Sequence, residues 1–263
     1  MNSSIDVKFS HLVEIMQQLR KECPWDQQQT PESLRKYILE EAYETVDTID
    51  QKDWLKLKDE LGDLLLQIIF QSVIAQEENK FSIDSVLDNL INKLISRHPH
   101  VFGDKKVSSA KDVEVNWEKI KIKKENRKSL LSGIPESAPA LLRAQRLQEK
   151  ASRVSFDWEK TRDVLDKLDE EVEELKNALE QRAKANTEEE LGDLFFTLVN
   201  LSRFLNVSAE DALRLSNKKF VQRFEYIEKA FDGDYDKMRQ AGLEILDKFW
   251  DQAKNKEEKN DTK

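Results

Sequence analysis

Cysteine, histidine, proline and glycine are all scarce in this 263-residue chain, with 1, 3, 5 and 6 copies, and each scarcity removes a class of protein. A lone Cys23 excludes an intrachain disulfide framework. So few glycines and prolines leave little material for the tight turns of a β protein. No stretch approaches the roughly 18 uninterrupted apolar residues of a membrane span. The N-terminus, Met1 to Asp6, has no basic segment leading into an apolar run, so a soluble cytoplasmic protein is expected. Basic excess is lacking as well. A net charge of −9 argues against a broad nucleic-acid-binding surface, which exploits phosphate counterion release, but it leaves single nucleotides open. Neither nucleic acid nor membrane is an expected partner.

What is abundant is charge, 36% of residues, beside 38% hydrophobic residues. This mixture suits long amphipathic helices, and an all-α fold is expected. One pattern is written twice. Glu40-Glu41-Ala42-Tyr43-Glu44 and Glu60-Leu61-Gly62-Asp63 recur as Glu170-Glu171-Val172-Glu173-Glu174 and Glu190-Leu191-Gly192-Asp193, offset by 130 positions throughout. A repeat near half the chain length predicts a tandem pair of helical-bundle domains, residues 1–130 and 131–263, each large enough for its own core.

The local signals fit that division. Leu12, Ile15, Met16 and Leu19 have helical spacing over residues 10–22, and Cys23-Pro24-Trp25-Asp26 ends that helix. Thr30 as N-cap, Pro31 at the first helical position and Ser33 open the helix that bears the first acids. A further helix carries Glu60 and Asp63 to about Gln76, and another runs over 82–97 from Ser82. Ser129 to Pro139, with Gly133 and Pro135, is the expected boundary. Leu141, Leu142 and Leu147 restart the programme, and Phe156-Asp157-Trp158 stands where Pro24-Trp25-Asp26 stood. Looser parallels pair Lys93 and Arg97 with Lys219 and Arg223, and Trp117 and Lys121 with Trp250 and Lys254. Residues 255–263 are nearly all polar and are expected to fray.

At about 100° per residue, Glu60 and Asp63 share a narrow stripe with Gln67, while Leu61, Leu64, Leu65, Leu66, Ile68, Ile69 and Phe70 cover the rest of the helix. A helix apolar nearly all round is expected to be buried, with its polar stripe facing other polar groups. Glu190, Asp193 and Thr197 repeat the arrangement. Buried carboxylates are costly unless paired or metal-bound. Glu41 and Glu44, and likewise Glu171 and Glu174, sit three apart on one helix face and complete each cluster across a helix pair. Oxygen ligation without histidine selects Mg²⁺, with Mn²⁺ as an alternative. Di-iron bundles need Glu-x-x-His, yet Lys8, Ile95 and Arg97 stand three before His11, His98 and His100.

Four carboxylates with one Mg²⁺ still carry about −2, so a phosphate substrate needs further ions or arrives as its magnesium complex. Lys219 and Arg223, four apart on one helix, together with Lys254, suit the remaining phosphate oxygens. Trp250 either covers a base or fills the core.

These motifs resemble those of the all-α nucleoside triphosphate pyrophosphohydrolases. The duplicated set, with Cys23-Pro24-Trp25-Asp26, Arg97-His98-Pro99-His100-Val101-Phe102 and Asn217-x-Lys219-Phe220-x-x-Arg223-Phe224, resembles the MazG family over about residues 8–255. The resemblance implies Mg²⁺-dependent hydrolysis of a nucleoside triphosphate to monophosphate and pyrophosphate. Glu171, Glu174, Glu190 and Asp193 match the family's metal positions, with Glu171 and Glu174 as the catalytic pair. Lys219, Arg223, Trp250 and Lys254 match its nucleotide contacts, and Lys167, Leu168, Asp169 and Glu170 are placed beside the pocket. It also implies a homodimer, with the C-terminal copy as the main site. Glu41, Glu44, Glu60 and Asp63 form a second candidate cluster, but the spacing from Arg97 to Trp117 differs from that between Arg223 and Trp250. The competing reading is a non-enzymatic helical module whose acidic stripes meet a basic partner.

Overall fold

The computed structural model describes residues 4–104, 107, 109, 113, 129–181 and 184–261, with side chains as far as 257. Trp117 and Lys121 therefore lie outside the described residues. Every regular element among the described residues is helical, as the composition requires. The chain divides into two compact units, Met1–Glu125 and Asn126–Lys263.

In the first unit, α1 (Ser4–Glu22), α2 (Pro24–Gln27), α3 (Pro31–Gln51), α4 (Trp54–Glu77), α5 (Ile83–Arg97) and α6 (Pro99–Phe102) follow in order. The helix starts obey local chemistry. Thr30 and Ser33 cap each other's backbone N–H groups, Ser33 N donating to Thr30 Oγ1 at 3.2 Å and Thr30 N to Ser33 Oγ at 2.9 Å, with Pro31 next in line. α3 stops at Lys52 in the left-handed conformation (φ 55°). Asp53 then caps α4 by accepting from the N–H groups of Leu55 and Lys56. This two-residue reversal folds α3 onto α4, the main helix pair of the unit.

The core sits toward the C-terminal half of α4. Ile69, Phe70, Val73 and Ile74 pack with Met16 of α1 and Leu34 of α3, each such side chain contributing about 1.5–3 kcal/mol on full burial. Arg20 ties the Cys23-Pro24-Trp25-Asp26 segment to this core. Its Nε and Nη2 donate to Glu77, its Nη1 donates to the carbonyls of Asp26 and Gln29, and its guanidinium lies 5.9 Å from the centre of the Phe70 ring.

The second unit holds α7 (Ala140–Ser152), α8 (Thr161–Glu180), α9 (Lys184–Phe204), α10 (Ala209–Ala230) and α11 (Tyr235–Asp261). α8 pairs with α9 and α10 with α11, while α7 bridges α9 and α10. Polar joints fix the bridge: Gln148 Nε2 donates to the Phe196 carbonyl at 2.8 Å, and Gln145 Oε1 accepts from Ala209 N at 3.1 Å, serving the first turn of α10. Lys150 is buried, and its Nζ donates to the carbonyls of Leu130 and Ser132 at 3.2 and 2.7 Å. Like Arg20, Lys150 sets a cation on backbone carbonyls, but Arg20 holds the segment after its helix and Lys150 the segment before.

Two expectations differ from the structure. The acid-bearing helices are not buried all round: Leu61, Phe195 and Phe196 stay 50%, 52% and 45% exposed. One paired helix and two further neighbours cover only part of the α4 and α9 cylinders. The tail does not fray from 255, because α11 continues to Asp261. It is held by Lys256 over the Tyr226 ring and by an ion pair between Glu257 and Arg223. α11 is interrupted instead at Gly242, whose φ of 73° and ψ of 169° are non-helical and favour glycine.

Candidate metal centre

Each helix pair brings its two acid motifs face to face. On α3 and α4, carboxylate oxygens of Glu41, Glu60 and Asp63 lie within 4.8 Å of one another; on α8 and α9, those of Glu171, Glu174 and Glu190 do so. The fourth member of each set stands close enough to be felt. Glu44 is among the charges that raise the pKa of Glu60, and Asp193 raises that of Glu190.

Crowding of like charge sets the electrostatics. Desolvation pushes the Glu190 carboxyl above its ordinary value, and Glu174, Asp193 and Glu171 push it further. Glu41 rises through burial and then through Asp63, Glu44 and Glu60; Glu60 rises through desolvation, Glu44 and Asp63. Both clusters therefore hold more negative charge than their surroundings neutralise. An oxygen-only donor set with unrelieved repulsion fits a hard divalent cation.

The copies differ in one side chain. Glu171 is only 4% exposed, and Lys167, one turn earlier, reaches it: Nζ lies 2.9 Å from Glu171 Oε1 and 2.8 Å from Glu170 Oε1. Glu170 and Glu171 hold the Lys167 ammonium protonated far above an ordinary lysine. The corresponding position in the first copy is Tyr37, which packs edge-on to Trp25 with ring centres 6.2 Å apart. A lysine against a tyrosine at one repeat position is a signal visible in the sequence, yet its meaning depends on Glu171 being buried. Leu168 is half-buried, whereas Asp169 and Glu170 are exposed.

The cations and the tryptophan expected at the nucleotide stand on the other helix pair of the unit. Arg223 of α10 lies 5.4 Å from the centre of the Trp250 ring of α11, and Phe220 packs on Trp250 at 5.2 Å. Trp250 is thus half-buried between two helices with one side next to a guanidinium. Lys219 and Lys254 are exposed. In the first unit Arg97 ends α5, whereas α10 continues past Arg223 to Ala230, so the parallel between Lys93/Arg97 and Lys219/Arg223 does not extend to their place in the helix. Glu257, which binds Arg223, carried no sequence signal.

Comparison with known proteins follows the same two segments. The model of the MazG nucleotide pyrophosphohydrolase domain matches residues 29–102 and 160–227, which contain both acid clusters. A protein of Thermotoga maritima named nucleoside triphosphate pyrophosphohydrolase/pyrophosphatase MazG is 45% identical over 256 residues, covering 96% of this chain and 98% of its own. A nucleoside triphosphate pyrophosphohydrolase of Escherichia coli K12 is 40% identical over 258 residues, covering 95% and 98%. The crystal structure of a mazG-related protein from Thermotoga maritima overlaps 43% of this chain and 97% of its own, at 25% identity and a TM-score of 0.39. With the domain present twice and close relatives along almost its whole length, this chain belongs to the MazG nucleotide pyrophosphohydrolase family.

Proposed function

We propose that this protein hydrolyses nucleoside triphosphates to nucleoside monophosphate and pyrophosphate, with Glu171, Glu174, Glu190 and Asp193 of the C-terminal unit holding Mg²⁺, or Mn²⁺ in its place. The observation that carries the choice of half is the buried Glu171 with Lys167 beside it, a pairing that Tyr37 cannot supply in the other copy. The named activity of the two full-length relatives supports the reaction.

In this reading a water oxygen bonds to the α-phosphorus, the bond from that phosphorus to the bridging oxygen breaks, and pyrophosphate leaves with the electron pair. Bound divalent ions would supply Lewis-acid stabilisation of the developing phosphate charge. The chain's residues do the rest. A carboxylate of the cluster accepts the water's proton, Lys219, Arg223 and Lys254 meet phosphate oxygens, and Trp250 stacks on the base. Lys167 positions the Glu171 carboxylate through their ion pair, while Leu168, Asp169 and Glu170 line the approach.

A homodimer in the cytoplasm completes the proposal. The half-exposed Leu191, Phe195 and Leu198 beside the acids give a second copy something to cover. No helix among the described residues is long and apolar enough to cross a membrane.

The deciding experiment follows pyrophosphate and orthophosphate released from a panel of nucleoside triphosphates with Mg²⁺. Pyrophosphate is expected from the wild type. Orthophosphate as the sole primary product would overturn the reaction, and a thermal shift flat to both Mg²⁺ and nucleotide would favour the non-enzymatic helical module.

A further inference from the structure

One of the nucleotide-side cations, Arg223, is already engaged. Nε and Nη2 of Arg223, the fork edge that receives carboxylates and phosphates, both donate to Glu257 Oε2, at 3.0 and 2.8 Å. The arginine side chain is 18% exposed and that of Glu257 31%, so the pair is partly screened from water. Glu257 stands seven residues after Trp250 and three after Lys254, which puts all three on one face of α11.

Arg223 also sits over Trp250, so this one carboxylate closes the group through which a triphosphate is read. A carboxylate oxygen on the Nε and Nη2 edge of a guanidinium is the same kind of anionic acceptor as a phosphate oxygen, with less charge. Resting on the reading of Arg223 as a phosphate contact, we propose that Glu257 is an internal stand-in for a substrate phosphate, which the incoming triphosphate displaces. Exchange then sets how tightly substrate binds: the ion pair keeps Arg223 oriented and neutralised while the site is empty, and breaking it lowers apparent affinity. Nothing covalent changes, because one acceptor replaces another on the same donors.

The test measures binding of α,β-methylene ATP with Mg²⁺ to the full chain, in a cycle of wild type, Glu257→Gln, Arg223→Ala and the double variant, together with KM and kcat for ATP. E257Q should bind roughly two- to fivefold tighter, the range for an ion pair of this exposure, with the gain in KM and not in kcat. In the Arg223→Ala background the same change should do nothing. Glu257→Asp, which keeps the charge, should return affinity toward wild type, and a chain ending at Lys256 should behave like E257Q. Unchanged or weaker binding by E257Q, while Arg223→Ala still weakens it, overturns the stand-in role alone. Equal binding by Arg223→Ala and wild type instead overturns the reading of Arg223 on which the inference stands.

Discussion

Lys167 Nζ lies 2.9 Å from Glu171 Oε1, and the glutamate side chain is 6% exposed against 31% for the lysine. The lysine is the carboxylate's link to charge balance. Lys167→Ala leaves a buried acid without its cation and should destabilise the chain by about 1–3 kcal/mol at neutral pH in EDTA. Mg²⁺ should recover much of that loss. Thermal unfolding with and without Mg²⁺ measures both, and a loss that Mg²⁺ leaves untouched would detach Lys167 from the metal centre.

Glu171→Ala or Glu174→Ala should reduce pyrophosphate release on the order of a hundredfold or more, equivalent to several kcal/mol of lost charge stabilisation. Glu41→Ala and Glu44→Ala should cost much less. The two pairs of variants form one comparison: if the second pair abolishes activity and the first does not, the working half has been chosen wrongly.

The raised carboxyls set a pH dependence with a definite sign. Glu41, Glu60 and Glu190 have folded pKa values above the ordinary 4.5, so between that value and the raised one the native state binds more protons than the unfolded state. Stability from these groups is therefore present at low pH and is lost as pH rises through the window. The Asp234 cap of α11 has a lowered pKa, mainly from Lys237 N–H, and its window lies below the ordinary 3.8, outside this range. In EDTA, the melting temperature should rise on acidification from neutral pH toward about 5. Mg²⁺ should flatten the slope by taking the protons' place. A melting temperature that climbs with pH over this range in EDTA would contradict the crowded-acid picture.

Gly62 and Gly192 precede the aspartates of the two clusters inside α4 and α9, and a Cβ on either would meet no atom within 4 Å. Neither glycine is needed by the chain's own packing, yet each weakens its helix. Gly192→Ala should thus raise the stability of the chain by roughly 0.5–1 kcal/mol. If the bare surface serves a close approach from outside, by substrate or a second copy, the same change should lower turnover or dimer affinity. Sedimentation and steady-state kinetics decide it, and a more stable variant with unaltered activity and assembly would leave the glycine without that role.

What could be read beforehand was whatever depends on local chemistry and period. Thr30, Pro31 and Ser33 specify their cap whatever surrounds them, Ser82 does the same for α5, and constant acid spacing anticipated that two helices would bring carboxylates together. Features that need the third dimension were hidden. The composition of the acid helices points to full burial, but how much of a helix is covered depends on how many neighbours one chain supplies, and Leu61 and Phe195 remain half exposed. Arg20 and Lys150 look like ordinary surface cations until their carbonyl partners are known. Glu257 lies in a polar stretch that, taken alone, has no reason to be ordered.

The anchoring cations set the two units apart. Arg20 of α1 fastens the chain that leaves its helix, and Lys150 of α7 fastens the chain that enters. Arg20 does this with a branched head that reaches two carbonyls and a carboxylate at once, and the single ammonium of Lys150 cannot take that shape. After duplication each copy acquired its own fastening, and those fastenings are directional. The halves have therefore stopped being spare parts for one another: a hybrid exchanging α1 and α7 would keep every acid in register and still lose the loops that hold the helices in place.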